Sequence, residues 1–208
     1  MSNHEHFENE HVHKFYKKYA DDFNITRVKP WPKIIDFLNK YDRKNYLNLD
    51  CGCGNGRNLN ISNLSTFIGM DFSHELLKLI KSDNVLRGDC MSLPFKDKTF
   101  NIILSIAVIH HLSTYDRRRK AMKEMFRCLK ENGKILLYVW DEKTKHKSKF
   151  KHIENKEYFV KFNNNFDRYY HLFDINELID FCKDCGFIIE ECGFEQESIF
   201  AILSKKFN

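Results

Sequence analysis

From residue 46 onward, short runs of β-branched and apolar residues alternate with helix-length segments whose apolar positions recur at three- and four-residue spacing. That rhythm is the pattern of a parallel sheet covered by helices on its faces. The apolar runs at 46–50, 66–71, 84–89, 100–106, 134–140, 187–192 and 199–204 predict seven strands. Helices are predicted over 10–23, 32–39, 74–82, 115–130 and 175–185, with Asn132-Gly133 and Gly186 as stop signals. Only the turn at 193–197 separates the final two strands, and so short a connection demands an antiparallel pair. The expected fold is therefore α/β and Rossmann-like, a seven-stranded, mostly parallel sheet with an antiparallel last strand.

The rhythm breaks between 141 and 165, where Lys143, Lys145, Lys147, Lys149 and Lys151 alternate with other residues and with His146 and His152. Like charge at alternate positions favours a phosphate-contacting arm over a merely solvated loop. The 208 residues are read as a single domain, with an N-terminal helical cap over 1–45 and a basic insertion over 141–173. The net charge of +5 is mild evidence for a polyanionic partner. No apolar run approaches the roughly 18 residues of a bilayer span, and the first residues lack the layout of a secretory signal. A cytoplasmic protein, with a nuclear pool allowed, is expected, its cysteines reduced.

Seven cysteines are present, but Cys51/Cys53 and Cys182/Cys185 are the only close pairs, so a four-ligand zinc site finds no matching half and no metal is expected. His4, His6, His11 and His13 are read as part of a solvated polar terminus.

The first strand runs into Asp50-Cys51-Gly52-Cys53-Gly54-Asn55-Gly56-Arg57, an acid followed by glycines at alternate positions. Arg57 stands where a dinucleotide fingerprint requires its third glycine, which disfavours NAD. Alternating glycines let the backbone turn sharply and approach a ligand closely. The second strand ends at Asp71, placed to accept from both hydroxyls of a ribose. The third ends at Asp89-Cys90, an acceptor for an adenine amino group beside a main-chain donor. One acid at a strand end is often just a cap, but three at consecutive strand ends, where open α/β sheets bind ligands, form a joint signal. Cofactor contacts are expected from Asp50, Gly52, Cys53, Gly54, Gly56, Asp71, Phe72, Asp89, Cys90 and Ile106.

This set, with Leu93-Pro94-Phe95 and the fourth strand running into Ala107-Val108-Ile109-His110-His111-Leu112, is similar to the class I S-adenosylmethionine-dependent methyltransferases. A narrower resemblance lies in Val12-His13-Lys14-Phe15-Tyr16, Thr26-Arg27-Val28-Lys29-Pro30-Trp31-Pro32, His110-His111-Leu112-Ser113-Thr114 with Arg117-Arg118-Arg119, Leu137-Tyr138-Val139-Trp140, Arg168-Tyr169-Tyr170-His171 and Gly193-Phe194-Glu195. These segments resemble the eukaryotic tRNA methyltransferases that esterify 5-carboxymethyluridine at wobble position 34. The resemblance implies methyl transfer from S-adenosylmethionine to a uridine-borne carboxylate. It also implies a heterodimer with a small zinc-binding activator subunit, whose strand would add beside 84–89 near Ile61, Leu64, Phe67 and Ile68.

A carboxylate is already anionic at neutral pH, so attack on a sulfonium methyl needs alignment but no dedicated base. Arg27 is the expected leading clamp, its planar fork suited to a carboxylate, with Lys29 and Arg168 as further candidates. His110 and His111 stand where one can face the acceptor; Tyr169 is grouped with them as a candidate catalytic residue. Trp31, Trp140, Tyr170 and His171 are expected around the substrate, and Arg117, Arg118, Arg119 and Lys147 along the tRNA phosphates. Two alternatives stay open: a small-molecule carboxylate or phenol O-methyltransferase on the same fold, and a catalytically silent tRNA-binding scaffold subunit.

Overall fold

The computed structural model describes residues 2–26, 29–144, 149–162 and 166–205. Among the described residues lie ten strands: β1 (Leu47–Cys51), β2 (Thr66–Asp71), β3 (Val85–Arg87), β4 (Phe100–Ile106), β5 (Leu129–Trp140), β6 (Phe150–Glu154), β7 (Glu157–Phe162), β8 (Phe166–His171), β9 (Phe187–Glu195) and β10 (Ser198–Lys205). Seven of them form one sheet in the order β3-β2-β1-β4-β5-β10-β9. Pairing is parallel from β3 through β5, and β10 runs antiparallel between β5 and β9. The expected class and reversed last strand are therefore present. Central strands read as unbroken apolar runs because both faces are covered: β4 is buried at six of its seven positions and β10 at all eight.

The helices are α1 (Asn3–Glu8), α2 (Lys14–Lys18), α3 (Ala20–Ile25), α4 (Pro32–Tyr41), α5 (His74–Leu77), α6 (Tyr115–Cys128) and α7 (Ile175–Asp184), with a π-helical turn over Asn9–His13. Pro32 opens α4, where its missing N–H costs nothing, and the helix buries Ile34, Phe37 and Leu38 on one sheet face. Thr114 caps α6 and Asp174 caps α7 through their side chains. Met122, Met125, Leu178 and Phe181 from these two helices fill the other face. Among the described residues no helix is long and apolar enough to cross a membrane.

Three expectations need correction. The 10–23 helix is broken by the π turn and again at Tyr19, so the N-terminal segment bends over the carboxyl ends of the strands. Only His74–Leu77 of the 74–82 helix forms. Asn132-Gly133 lies inside β5 instead of closing a helix; a Cβ on Gly133 would meet the Leu129 side chain and the Asn101 carbonyl, so glycine serves close packing there.

The basic insertion is structured. β6, β7 and β8 form a second, antiparallel sheet: Lys151 in β6 and Lys161 in β7 face solvent, as does Lys149 just before β6, while Val160, Tyr170 and Leu172 pack with Trp140, Phe150 and Tyr158. Its two ends meet, with Phe173 N donating to Trp140 O (3.0 Å) and Glu142 N to Phe173 O (2.9 Å).

Candidate cofactor and acceptor site

The turn after β1 is held by the neighbouring strand. Gly52 N and Cys53 N donate to Met70 O at 2.7 and 3.0 Å, and Asp71 accepts from Gly54 N (2.9 Å) and Ser73 N (2.8 Å). Gly52, Gly54 and Gly56 all adopt positive φ, at 83°, 56° and 77°. At Gly52 a Cβ would also overlap the Val108 side chain. Burial raises the pKa of Asp71, and its two main-chain donors oppose the rise. Even so engaged, its oxygens keep lone pairs for a pair of ribose hydroxyls. Asp89 accepts from Met91 N (2.8 Å) at the next strand end.

These groups surround a cavity of about 370 Å³. Gly52, Gly54, Asp71, Phe72, Asp89, Cys90 and Ile106 line it; Asp50, Cys53 and Gly56 lie behind its wall. Asp50 is completely buried, takes a 3.3 Å hydrogen bond from Asn58 to Oδ2, and keeps Oδ1 without a partner among the described residues. Burial pushes its carboxyl up to about 7. The cavity fits an adenosyl group on its own chemistry: apolar walls from Met70, Leu76 and Met91, carboxylates at two adjacent strand ends, and a glycine turn admitting no side chain.

The N-terminal segment closes one side. Glu8, 1% exposed, accepts from Ser113 N (2.7 Å), Ser113 Oγ (2.9 Å) and both arms of Arg117 (2.6 and 2.7 Å). His13 stacks on Phe72 at 3.8 Å between ring centroids, and His11 Nδ1 lies 3.3 Å from Asp167 O. His4 and His6 are exposed as expected, whereas His11 and His13 are packed into the fold instead of lying in a solvated tail. Removing one partner of a buried pair leaves the other charge uncompensated, a cost of about 3–5 kcal/mol. Glu8→Ala is expected to lower Tm by roughly 6–20 °C and to open residues 2–25 to limited proteolysis; an unchanged melting curve and digestion pattern would refute the latch.

At the far end sit His110, His111, Arg168, Trp140 and Tyr170. Trp140 and Tyr170 stack at 4.6 Å and 18°. Arg168 is 6% exposed, with its guanidinium carbon 4.3 Å from the Phe15 ring centroid and 4.9 Å from that of Tyr170. Its Nη1 donates to the Tyr16 oxygen (3.4 Å), its Nε has no partner, and no carboxylate pairs with it among the described residues. A buried cation caged by aromatic rings without a counter-ion has the chemistry to receive an anion.

Other expected residues lie elsewhere. Strand alternation turns Tyr169 away from Arg168 and Tyr170; its hydroxyl donates to Ser113 O (3.3 Å) and its ring meets Phe7 edge-on. His171, on that same side, is held between Glu157 (2.9 Å) and Glu177 (2.6 Å). The three arginines of α6 do not form a phosphate track, because consecutive helical positions diverge and each is engaged. Arg117 binds Glu8, the buried Arg118 donates to Leu112 O (2.8 Å), and Arg119 pairs with Asp184 (2.8 Å). Trp31 lines the cavity under the Arg57 guanidinium (5.3 Å), and Lys29 is exposed. Arg27 and Lys147 lie outside the described residues. Glu8, His13, Tyr16 and Arg57 line the cavity without having been expected there. The spacing Glu8, Val12, Phe15, with one helical face toward the strands, is the signal that would have found the first.

Residues 49–137 match the family described as a methyltransferase domain. The chain is 42% identical to a methyltransferase of Encephalitozoon cuniculi (strain GB-M1) over 207 residues, 96% of this chain and 97% of that one. It is 31% identical to the tRNA (carboxymethyluridine(34)-5-O)-methyltransferase of Schizosaccharomyces pombe (strain 972 / ATCC 24843) over 224 aligned positions, 96% of this chain and 98% of that one. Longer proteins carry the same name, and the match spans 33% and 49% of two of them. In three dimensions it resembles a chain from the complex between the Haloferax volcanii Trm112 methyltransferase activator and a methyltransferase, with TM-score 0.72 and 15% identity over 95% of this chain and 98% of that one, a likeness of fold.

Proposed function

Because the chain belongs to the tRNA (carboxymethyluridine(34)-5-O)-methyltransferase family, within the class I S-adenosylmethionine-dependent enzymes, we propose that it methylates the carboxylate of 5-carboxymethyluridine at the wobble position of tRNA, forming the methyl ester. Its cofactor is S-adenosylmethionine. The observation that carries the acceptor assignment is Arg168, a buried cation in the cavity with no carboxylate of the described chain beside it.

When bound, the cofactor supplies an electrophilic methyl group on a sulfonium. Asp71 would hold the ribose hydroxyls, and Asp89 with the Cys90 main chain would hold the adenine edge. Arg168 captures the acceptor carboxylate and sets the attacking oxygen in line. No residue takes a proton, since the nucleophile arrives ionised. Burial and the neighbouring Arg168 charge hold His110 and His111 well below the usual histidine range, so both stay neutral and leave the carboxylate's charge to Arg168. Trp140 and Tyr170 exclude water and offer a face to the uracil ring. Phosphate contacts are assigned to Lys149, Lys151 and Lys161 on the small sheet, in place of the engaged arginines of α6.

The activator is assigned to the outer edge of β3, a terminal strand of the sheet. Of the residues expected there, Leu64 is exposed, whereas Phe67 is buried in the core and contributes nothing to such a contact.

The test is to incubate the chain, with and without a zinc-binding activator, with labelled S-adenosylmethionine and tRNA from cells lacking this enzyme, then digest and identify the labelled nucleoside. Label in the wobble-uridine methyl ester is expected. Label in another nucleoside overturns the acceptor; no tRNA label despite cofactor binding and a bound activator points to a small-molecule acceptor.

A further inference from the structure

Two neighbouring histidines at the end of β4 carry their protons on opposite nitrogens. His111 Nδ1 lies 2.9 Å from the Tyr169 carbonyl oxygen, which can only accept, so that nitrogen holds the proton. Its Nε2 accepts from the Tyr16 hydroxyl at 3.0 Å, and the Tyr16 oxygen accepts in turn from Arg168. At His110 the geometry is reversed. The Trp140 main-chain N–H points at Nδ1 from 3.2 Å, and an amide can only donate, so Nδ1 is bare and the proton of the neutral ring sits on Nε2. His110 is completely buried at the cavity wall, and its Nε2 has no partner among the described residues.

Arg168 has five donors and no acceptor. Arg168 and His110 both line the cavity and both pack against the Tyr170 ring, the guanidinium carbon 4.9 Å and the imidazole centroid 5.0 Å from its centre, so a ligand entering this end meets donors from both residues. A carboxylate presents two acceptor oxygens and satisfies both. A carboxamide of the same shape would turn its NH₂ toward an N–H. On the function proposed above, we infer that His110 is a specificity-determining residue, donating Nε2–H to one carboxylate oxygen while Arg168 holds the other, so that the site rejects the carboxamide isostere. Buried polar groups left unmatched are what makes such discrimination large.

Two measurements test this. Long-range ¹⁵N–¹H correlation on histidine-labelled protein, with His110→Gln for assignment, is expected to show His110 protonated on Nε2 alone at neutral pH; a ring protonated on Nδ1, or on both nitrogens, overturns the inference. The second compares RNA stem-loops carrying 5-carboxymethyluridine or 5-carbamoylmethyluridine at one position, binding to enzyme saturated with S-adenosylhomocysteine. A glutamine amide can present either its N–H or its carbonyl. His110→Gln should therefore hold carboxylate affinity within about threefold and bind the carboxamide about tenfold more tightly than wild type does, whereas His110→Leu should lose about tenfold on the carboxylate. Undiminished rejection of the carboxamide by His110→Gln overturns the inference and leaves the function standing. Failure of wild type to bind either stem-loop overturns the function and the recognition role of His110 with it, while the tautomer result remains a separate fact about the fold.

Discussion

Arg168→Met is expected to cut kcat/KM for the carboxylate-bearing tRNA by about 10³-fold while S-adenosylmethionine binds with unchanged affinity. Truncating a buried, hydrogen-bonded charge that pairs only with the ligand costs about 4 kcal/mol, which is that factor. The protein itself should not suffer. Arg168 is enclosed by Phe15, Tyr16 and Tyr170 and has no acidic partner among the described residues, so a methionine of similar length removes an uncompensated buried charge and Tm should hold or rise. Loss of activity without loss of stability separates an anion receptor from a packing residue. Arg168→Lys keeps the charge but not the fork, and recovers only part of the activity. A methionine variant within about threefold of wild type would remove the carboxylate from this end of the cavity.

Gly52→Ala is expected to weaken S-adenosylmethionine binding by at least about 10²-fold. The residue needs φ near +83°, a region that costs an L-residue roughly 1–2 kcal/mol, and its Cβ would collide with Val108. Relief comes by moving the turn away from Met70 and Asp71, which carries Gly54 off the cavity wall. Adding Val108→Ala removes the collision but not the backbone strain, so the double variant should regain part of the affinity and not all of it. Calorimetric titration of both proteins with the cofactor decides. Full affinity in Gly52→Ala alone would show that the glycine turn does not shape the cofactor surface.

The sheet was legible because its central strands are unbroken apolar runs and the glycine turn sits directly after the first of them. The small sheet was not, since β6 is exposed at four of its five positions and follows directly on a run of lysines, so no apolar alternation marks it as a strand. Asp71 and Asp89 reach the cavity as their strand-end positions imply, whereas Asp50, on the same reasoning, is walled off beneath the turn it precedes. Sequence places a residue at a strand end but does not say which side of the following loop its carboxyl will take. The arginines of α6 fail for a related reason. Three adjacent cations look like a patch in one dimension, but the helix sends them in three directions, toward Glu8, Leu112 and Asp184. Tyr169 and Tyr170 show the same ambiguity at a period of two: without the register of β8, neither could be given to the cavity over the other.

The way β6, β7 and β8 join the body has a bearing on how this scaffold acquires new chemistry. The main chain leaves at Trp140 and returns at Phe173, and those two residues are hydrogen-bonded to each other, while β8 is held further along by His111, Ser113 and Glu177. Arg168 and Tyr170 belong to that excursion, whereas the glycine turn, Asp71 and Asp89 belong to the seven-stranded sheet and its strand ends. On the function proposed, acceptor contacts are shared between that excursion, through Arg168 and Tyr170, and the end of β4, through His110, while methyl-donor contacts stay with the sheet. A graft of a different excursion between Trp140 and Phe173 can exchange one anion receptor for another without disturbing a single pairing in the seven-stranded sheet, which makes this junction the natural place to splice when redirecting the enzyme.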